Sequence, residues 1–449
     1  MSGKNNIVFI VFDTMRSDSL SVYNGKSKTP NFDKLANESI VFTNNISAAP
    51  WTIPSHASLF TGKYPMEHKV RFNDTNRDFI ATSKLMNEYK GSTLAEALHR
   101  EGYSTYGLSA NTGIIPGSGF DRGFDIFTFF DPMGNYTLNN EWSVVKQDII
   151  QKFGETRNEV LKNMLFNGDH IKTLKYLKNY FKLSRDIKNS YKRFNFPMNK
   201  SGEQIIDTIQ RSSFSEPFFL FINFMEFHEP YVKDFNTQKE QEYSLGLIQP
   251  SQKVIEDVRL AYYKEAEKAD WELGQIIKFL KYNNIYDNTA LVLTSDHGQS
   301  LFEHGFYGHG IYLHDELIKV PLIIKEPKFE PLHETMNKLF SSTGLYDIIR
   351  SFAHSKEVSI PNIPFVLSEA DGSWKVPSKI ISKNDLVRNR LLRMDSRRLA
   401  IFKDDFKLII NGKDGKLESF EMKGEKIREN EYNEVIKDLV ETINIVGWK

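Results

Sequence analysis

The 449-residue chain contains no cysteine. This absence excludes disulfides, thiolate metal ligands and cysteine nucleophiles, and it favours a reducing, cytoplasmic compartment. Basic and acidic side chains balance at 58 each, so no excess of charge favours nucleic acid as a partner. No apolar run approaches the roughly 20 residues of a membrane span. The apolar run 7–12 is also too short for the core of a signal peptide, since Asp13 interrupts it.

Apolar residues make up 40% of the chain and aromatic residues 13%, which suffices for a large buried core. Several short apolar runs are rich in β-branched or aromatic residues. Such runs predict strands that are buried on both faces, as in a parallel sheet. Runs of this kind are Ile7–Phe12, Phe218–Phe224, Ala290–Thr294 and Val320–Ile324.

Segments with helical periodicity lie between these runs. Ser92 and Thr93 are candidate N-caps for a helix through His99 that Gly102 would end. Apolar residues also repeat at helical spacing over 266–280. Strands that alternate with helices predict an α/β fold, in which a large, mostly parallel sheet is sandwiched by helices.

Polar residues follow three of the predicted strands. Asp13, His228 and Asp296 each come after an apolar run. Because the carboxyl ends of parallel strands meet at one edge of a sheet, these side chains are expected to gather there. The alternative is that they are merely polar loop residues at strand ends.

The segment 151–200 differs in composition, with twelve Lys or Arg residues against four acidic ones. Its apolar residues Leu174, Leu177 and Phe181 have helical spacing, so we predict a basic helical insertion at about 150–200. A basic amphipathic helix can contact an anionic substrate, a membrane surface or a partner protein. The alternative is a solvated helix face without a partner.

The C-terminal part of the chain carries a hairpin signal. Leu399–Lys403 and Phe406–Ile410 flank Asp404 and Asp405, which predicts two strands joined by a tight turn. We therefore expect a small C-terminal antiparallel-sheet subdomain over 371–449, after a catalytic α/β domain over 1–370.

Three distant segments suggest a metal-activated nucleophile. Thr52 precedes a predicted helix, and a threonine hydroxyl is a poor nucleophile unless a metal or a base activates it. Asp13, Asp296 and His297 offer carboxylate and imidazole ligands for a divalent cation. The residues therefore suggest attack on an anionic ester, whereas the alternative for Thr52 is a plain helix cap.

Motifs spread over nearly the whole chain outside the basic insertion resemble the sulfatase family of the alkaline-phosphatase superfamily. Their order and spacing carry the resemblance. The segments are Asp13–Asp18 with Thr29–Ala36, Thr52–Gly62 with Pro65 and His68, Phe227–Tyr231, and Tyr286–Gly298 with Glu303–Gly305, Gly308–Gly310 and Val320–Leu322.

The resemblance implies a sulfatase-like fold with Thr52 as the nucleophile. It also implies a cation bound by Asp13, Asp296 and His297 together with the Thr52 oxygen. The metal would be Mn, Zn, Ca or Mg, as one ion or two.

The resemblance further implies that His228 and His309 line the site as substrate-binding groups or as acids for the leaving group. A second possibility is that these two residues hold a second metal, as in two-metal relatives. Asn73 and Asn111 are candidates for contacting the oxygens of the anion, and His56 stands at another substrate-binding position of the family.

Four departures from the family pattern affect the expected substrate. Sulfatases carry a cysteine or serine, oxidised to formylglycine, at the position of Thr52, and threonine cannot enter that pathway. His56 replaces an arginine, Thr14 replaces an aspartate, and 109–112 lacks the lysine and histidine of the family's second signature. These departures put a sulfate monoester in doubt and favour a substrate such as a phosphodiester, which carries one negative charge.

These observations predict that the protein is a metal-dependent hydrolase of phosphate or sulfate esters. The ester would be part of a small-molecule, glycan or lipid substrate. One alternative is a phosphotransferase that moves a head group to an alcohol acceptor. The other is a catalytically weak binding protein with a sulfatase fold.

Overall fold

The computed structural model describes most of the chain. Asn73 and all but the last residue of the basic segment 151–200 lie outside the described residues, so their predicted roles stay predictions. The chain forms two compact units, 1–130 with 201–449, and 131–200. The described residues are 4–72, 78–131, 200–232, 237–245, 247–327, 333–354, 360–372, 394–412, 416–428 and 432–445.

The strands of the described residues form a central sheet, a C-terminal sheet and two short pairs. They are β1 (Asn6–Phe12), β2 (Ile40–Phe42), β3 (Asn45–Ile46), β4 (Ser104–Ser109), β5 (Ile126–Phe129), β6 (Phe218–Phe224), β7 (Thr289–Thr294), β8 (Ser300–Leu301), β9 (Tyr307–Gly308), β10 (Leu322–Lys325), β11 (Glu334–Met336), β12 (Phe340–Ser341), β13 (Val366–Ala370), β14 (Arg398–Lys403), β15 (Phe406–Asn411), β16 (Leu417–Met422) and β17 (Glu425–Lys426).

The central sheet has eight strands in the order β11-β2-β10-β7-β1-β6-β4-β5. Strand β10 runs antiparallel to β2 and β7, and all other neighbouring strands are parallel. Successive residues of β1 enter different cores: Val8 packs into one apolar cluster and Phe9 into the other. The sheet therefore has a core on each face, and the predicted mostly parallel sheet between helices is confirmed.

The helices of the described residues include those that cover both faces of this sheet, whereas Asn433–Ile445 packs on the C-terminal sheet. They are α1 (Pro30–Ala36), α2 (Thr52–Thr61), α3 (Pro65–His68), α4 (Phe79–Lys84), α5 (Leu94–Arg100), α6 (Gly202–Arg211), α7 (Thr237–Ser244), α8 (Gln252–Tyr282), α9 (Asp315–Ile318), α10 (Leu345–Ala353) and α11 (Asn433–Ile445). Among the described residues, no helix combines the length and the apolar character needed to cross a bilayer.

The predicted helix signals act as expected in α5. The Thr93 side chain accepts a hydrogen bond from the backbone N–H of Glu96 at 3.1 Å, and the Glu96 carboxylate accepts one from the N–H of Thr93 at 2.9 Å. This reciprocal pair satisfies two N–H groups at the start of the helix. Gly102 follows the helix with a left-handed φ of 85°, which glycine adopts readily.

Helix α2 begins differently. Its N-cap is Trp51, whose side chain makes no capping hydrogen bond, and Thr52 is the first helical residue. The alternative that Thr52 is an N-cap is therefore wrong. The helix ends at Gly62, which has a left-handed φ of 67° and lies close to Tyr346.

The C-terminal sheet has the strand order β13-β14-β15-β16-β17 and is antiparallel throughout. Strands β14 and β15 form the predicted hairpin, with Lys403 opposite Phe406. In the turn, Asp404 takes a left-handed φ of 53°. The sheet begins at Val366, and the division of the chain into domains at residue 370 stays a prediction.

The aromatic core beneath α2 supports the edge of the sheet that carries the polar residues. Phe221 of β6 is fully buried, and its ring centroid lies 4.9 Å from that of Phe60 and 5.8 Å from that of Phe9. We expect Phe221→Ala to lower the free energy of unfolding by about 3–5 kcal/mol, because it removes these contacts and leaves a cavity. Denaturant unfolding followed by circular dichroism measures the change. The control is Ile126→Ala on strand β5, whose side chain is 55% exposed, and equal losses in both variants would contradict the assignment.

Candidate active site

Two carboxylates and an imidazole meet beyond the carboxyl ends of β1 and β7. Asp13 directly follows β1, and Asp296 and His297 follow β7 after a single intervening residue. All three side chains are fully buried, and each offers one ligand atom within 4.8 Å of the others. Because β1 and β7 are parallel neighbours, residues far apart in sequence converge there, as predicted.

The hydroxyl of Thr52 points into this group from the start of α2. Its Oγ1 lies 3.4 Å from Asp13 Oδ2 and 3.3 Å from His297 Nε2. These separations are at the long end of hydrogen-bond distances. The four side chains thus surround a common point, while their roles as ligands and nucleophile stay predictions.

The outer oxygens of both carboxylates are held by hydrogen bonds. Asp13 Oδ2 accepts one from Asn111 Nδ2 at 2.6 Å. Asp296 Oδ1 accepts bonds from the backbone N–H groups of Thr14 at 3.2 Å and His297 at 2.8 Å. Among the described residues, Asp13 Oδ1 and Asp296 Oδ2 are buried without a hydrogen-bond partner.

The orientation of His297 follows from a single hydrogen bond. Its Nδ1 lies 2.8 Å from the carbonyl oxygen of Gly298, to which it donates. In a neutral ring, Nε2 then carries a lone pair, and this atom lies 3.4 Å from Asp296 Oδ2. Burial lowers the pKa of His297, which favours the neutral ring.

The two buried carboxylates of Asp13 and Asp296 need a compensating positive charge. Burial raises the pKa of Asp13 well above its usual range, and the nearby charges of Asp296 and Glu229 raise it further. Two buried carboxylates of like charge repel each other unless a cation or a proton lies between them.

The residues fit a divalent cation. Asp13 and Asp296 each have a buried oxygen without a hydrogen-bond partner among the described residues, His297 presents a lone pair, and Thr52 adds a hydroxyl oxygen. A donor set that mixes carboxylate oxygens with an imidazole nitrogen suits Mn²⁺ or Zn²⁺ better than Ca²⁺ or Mg²⁺.

A second cluster adjoins the first. The ligand atoms of His228, Glu229 and His309 lie within 4.8 Å of one another, and all three residues are partly buried. The ring centroids of His309 and His297 are 4.6 Å apart. Both predicted histidines therefore lie together beside the first group.

Hydrogen bonds orient the two histidines of this cluster. His309 Nδ1 lies 2.7 Å from Gln299 Oε1, and Gln299 Nε2 donates to Glu229 Oε2 at 3.1 Å. His228 Nδ1 lies 3.0 Å from the backbone carbonyl oxygen of Glu229. If each Nδ1 donates to its oxygen neighbour, the neutral rings keep lone pairs on Nε2.

The members of this second cluster differ in their ionisation near pH 7. Burial lowers the pKa of His309 to about 3, so its ring is neutral near pH 7. Burial also opposes ionisation of Glu229, but the His228 and His309 rings outweigh it and bring its pKa to about 2. A carboxylate and two imidazole rings in one cluster are again residue types that bind a cation.

The remaining predicted residues lie deeper. Asn111 bonds to the Asp13 carboxylate, and its predicted contact with the substrate stays a prediction. His56 is fully buried and bonds to the backbone of Thr52 and to Asn223. Sequence reasoning missed Asn223, Glu229 and Gln299. Glu229 and Gln299 directly follow His228 and Gly298 of the quoted motifs, and that adjacency was the available signal.

Comparisons with known proteins agree with this architecture. The sulfatase family model matches residues 5–349. An arylsulfatase from Clostridium perfringens is 25% identical over 413 residues, which cover 83% of this chain and 80% of that protein. An N-acetylgalactosamine-6-O-sulfatase from Bacteroides thetaiotaomicron is 25% identical over 469 residues, covering 91% and 83%.

A solved structure has a similar fold. The phosphonate monoester hydrolase from Silicibacter pomeroyi superposes with a TM-score of 0.61 at 15% identity, covering 99% of this chain and 94% of that one. At this level of identity, the likeness concerns the fold alone.

The paired carboxylates predict a specific response to cations. We expect Mn²⁺ or Zn²⁺ to raise the melting temperature of the wild type, since a ligand at 100 times its dissociation constant stabilises by about 2.7 kcal/mol. Asp13→Asn and Asp296→Asn should each reduce the rise. Asp13→Asn should also melt no lower than the metal-free wild type, because it removes one of two repelling charges. Thermal melting with and without cation measures both effects.

The matched control for these variants is Asp257→Asn, the same change at an exposed position of α8. It should keep the full response to cations. A full response in Asp13→Asn or Asp296→Asn would contradict the assignment of the two carboxylates.

Proposed function

The chain belongs to the sulfatase family and is a hydrolase of sulfate or phosphate esters, and we propose that Thr52 is its nucleophile. Asp13, Asp296 and His297 would hold a divalent cation beside the Thr52 hydroxyl. When bound, such a cation lowers the pKa of a neighbouring hydroxyl and offsets charge on the anionic oxygens of the ester.

The observation that carries this proposal is the position of Thr52 Oγ1. It lies 3.3 Å from His297 Nε2 and 3.4 Å from Asp13 Oδ2, beside two carboxylate oxygens that lack partners. Thr52 is also the first residue of α2, a helix of ten residues. The positive end of the helix dipole favours a developing negative charge on this oxygen.

The proposed reaction has two steps. The Thr52 hydroxyl gives up its proton to solvent as Oγ1 forms a bond to phosphorus and the bond to the leaving oxygen breaks, and the departing alkoxide takes up one proton from solvent, so the number of protons is unchanged. Water then attacks phosphorus and breaks its bond to Thr52, which releases the product and restores the hydroxyl. A threonine ester has no second hydroxyl on the same carbon, so release by elimination is not open to it.

The chemistry of release favours a phosphodiester over a sulfate monoester, and the charge of the site disfavours a dianionic phosphate monoester. The groups bonded to the core of the site are amide, hydroxyl and imidazole groups, such as Asn111 on Asp13. A monoanionic ester, whether a phosphodiester or a sulfate monoester, needs fewer cationic contacts than a dianionic phosphate monoester. The N-acetylgalactosamine-6-O-sulfatase relative is named for a sulfated sugar, and we propose an anionic ester on a glycan or lipid head group for this chain.

Removing the hydroxyl tests the nucleophile. Thr52→Ala should lower kcat on an aryl phosphodiester by at least about 10³-fold, whereas Thr52→Ser keeps a hydroxyl and should stay active. Turnover of aryl phosphodiester, phosphonate monoester, phosphate and sulfate is measured with Mn²⁺, Zn²⁺, Mg²⁺ or Ca²⁺ added. Mass spectrometry of the acid-quenched protein should find the transferred group on the peptide that contains Thr52.

The same assay separates the alternatives. With glycerol added, a phosphotransferase forms a glycerol ester in preference to the hydrolysis product. Undiminished turnover in Thr52→Ala would overturn the assigned nucleophile. Absence of turnover by the wild type with every ester and cation would favour the binding protein.

The second cluster favours a two-cation form of this site. His228, Glu229 and His309 form a donor set of their own. The hydrogen bonds that the two Nδ1–H groups donate to Gln299 Oε1 and to the Glu229 carbonyl oxygen leave lone pairs on both Nε2 atoms. A ring nitrogen in that form has no proton to give to a leaving group, so a ligand role suits the two histidines better than an acid role.

Counting bound ions tests this second candidate. The wild type should retain two ions per chain after dialysis, and His309→Ala or Glu229→Gln should retain one. Elemental analysis against protein concentration gives the ratio. His354→Ala, at an exposed position, serves as the control with two ions. A single ion in the wild type would contradict the two-cation form and would favour contacts of His228 and His309 with the substrate or the leaving group.

A further inference from the structure

The ring of His56 lies beneath the candidate nucleophile. His56 is one helical turn after Thr52 on α2 and is fully buried. The edge-on rings of Phe120 and Phe221 neighbour it, with centroids 6.5 Å and 6.3 Å away. The imidazole therefore lies in an apolar environment and makes its polar contacts through its two nitrogens.

Each nitrogen already has a protein partner. Nε2 lies 3.2 Å from Asn223 Nδ2, an amide that donates, so this hydrogen bond leaves the ring proton on Nδ1. Nδ1 lies 3.0 Å from the carbonyl oxygen of Thr52 and 3.3 Å from Asp296 Oδ2. One N–H group thus faces both the turn that carries the nucleophile and a carboxylate of the candidate metal group.

We infer that His56 is a positioning residue, which fixes the Asp296 carboxylate relative to the Thr52 turn and does not contact the substrate. This inference rests on the proposed function of Thr52 and Asp296. It replaces the predicted substrate contact of His56, because the ring has no exposed surface and no nitrogen left to offer. Asn223, in strand β6, holds the ring from its other side.

Asp296 Oδ2 explains why such a residue is needed. This oxygen is one of the two buried carboxylate oxygens of the group that lack a hydrogen bond. Its neighbours are the His56 N–H at 3.3 Å and His297 Nε2 at 3.4 Å. The partial positive charge on Nδ1–H stabilises the carboxylate in the orientation that faces a cation.

Two amide variants separate the two nitrogens. In His56→Asn the amide nitrogen takes approximately the position of Nδ1, so the donor toward Thr52 and Asp296 is kept. In His56→Gln the amide reaches the position of Nε2, so the contact with Asn223 is kept and that donor is lost. His56→Leu has a similar volume and removes both.

The decisive measurement is the dissociation constant for Mn²⁺ or Zn²⁺ by calorimetry. His56→Gln and His56→Leu should weaken binding by about 10- to 100-fold, as for other residues that support a metal ligand. His56→Asn should keep most of the wild-type affinity. With the ester substrate, His56→Gln should lower kcat and leave KM nearly unchanged.

Several results would overturn the inference. One is wild-type cation affinity in His56→Gln together with a raised KM, which would indicate a substrate contact. Another is an equal loss in His56→Asn and His56→Gln, which would indicate packing alone. If His56→Gln fails to fold by circular dichroism, Asn223→Ala decides, since releasing the ring should weaken cation binding and unchanged affinity would refute the role.

The cation affinities are independent of turnover. If the wild type hydrolyses no ester, the proposed function fails while the order of affinities among the His56 variants still tests this role. Conversely, turnover that depends on Thr52 can be present although His56→Gln binds cation normally, and then only the positioning role fails.

Discussion

The arrangement of the candidate site is governed by the electrostatic repulsion between two carboxylates, which the fold brings together and buries. Asp13 and Asp296 are fully buried, and each keeps one oxygen without a hydrogen bond among the described residues. A protein interior tolerates such a pair only with a cation or a bound proton between the charges. Every other feature of the site either orients these two carboxylates or brings a reactive group to the same point.

The central sheet makes this arrangement rigid. Strand β1 lies between two parallel neighbours, with Val11 opposite Thr294 of β7 and Phe12 opposite Phe224 of β6. The three strands therefore end at the same level. Thr14 then turns the chain with a left-handed φ of 60° and donates its N–H to Asp296. The turn after one strand is thus fixed by the carboxylate after another.

The sequence predicted the strands, and that the polar residues after them converge, for a physical reason. An apolar run that ends at a polar residue predicts a buried strand and also places that polar residue at the end of the strand, as Phe12 and Asp13 show. An apolar run carries no information about direction, so the antiparallel orientation of β10 came only from the structure. The hairpin around Asp404 was predictable because turn chemistry is local.

The partners of side chains were the part that sequence reasoning missed. The role of Gln299 depends on contacts with His309 and Glu229, which lie on other segments. The hydrogen bond from the Asn111 amide to Asp13 was likewise not predicted, while its contact with a substrate stays a prediction. Such pairings depend on which strand ends are neighbours, and no local pattern encodes that.

The convergence of distant segments also has a consequence for synthesis of the chain on the ribosome. A nascent chain exposes Thr52 and Asp13 early, but the other carboxylate and the imidazole emerge only after residue 295 has been translated, so unfinished chains cannot carry out the chemistry proposed for the complete fold.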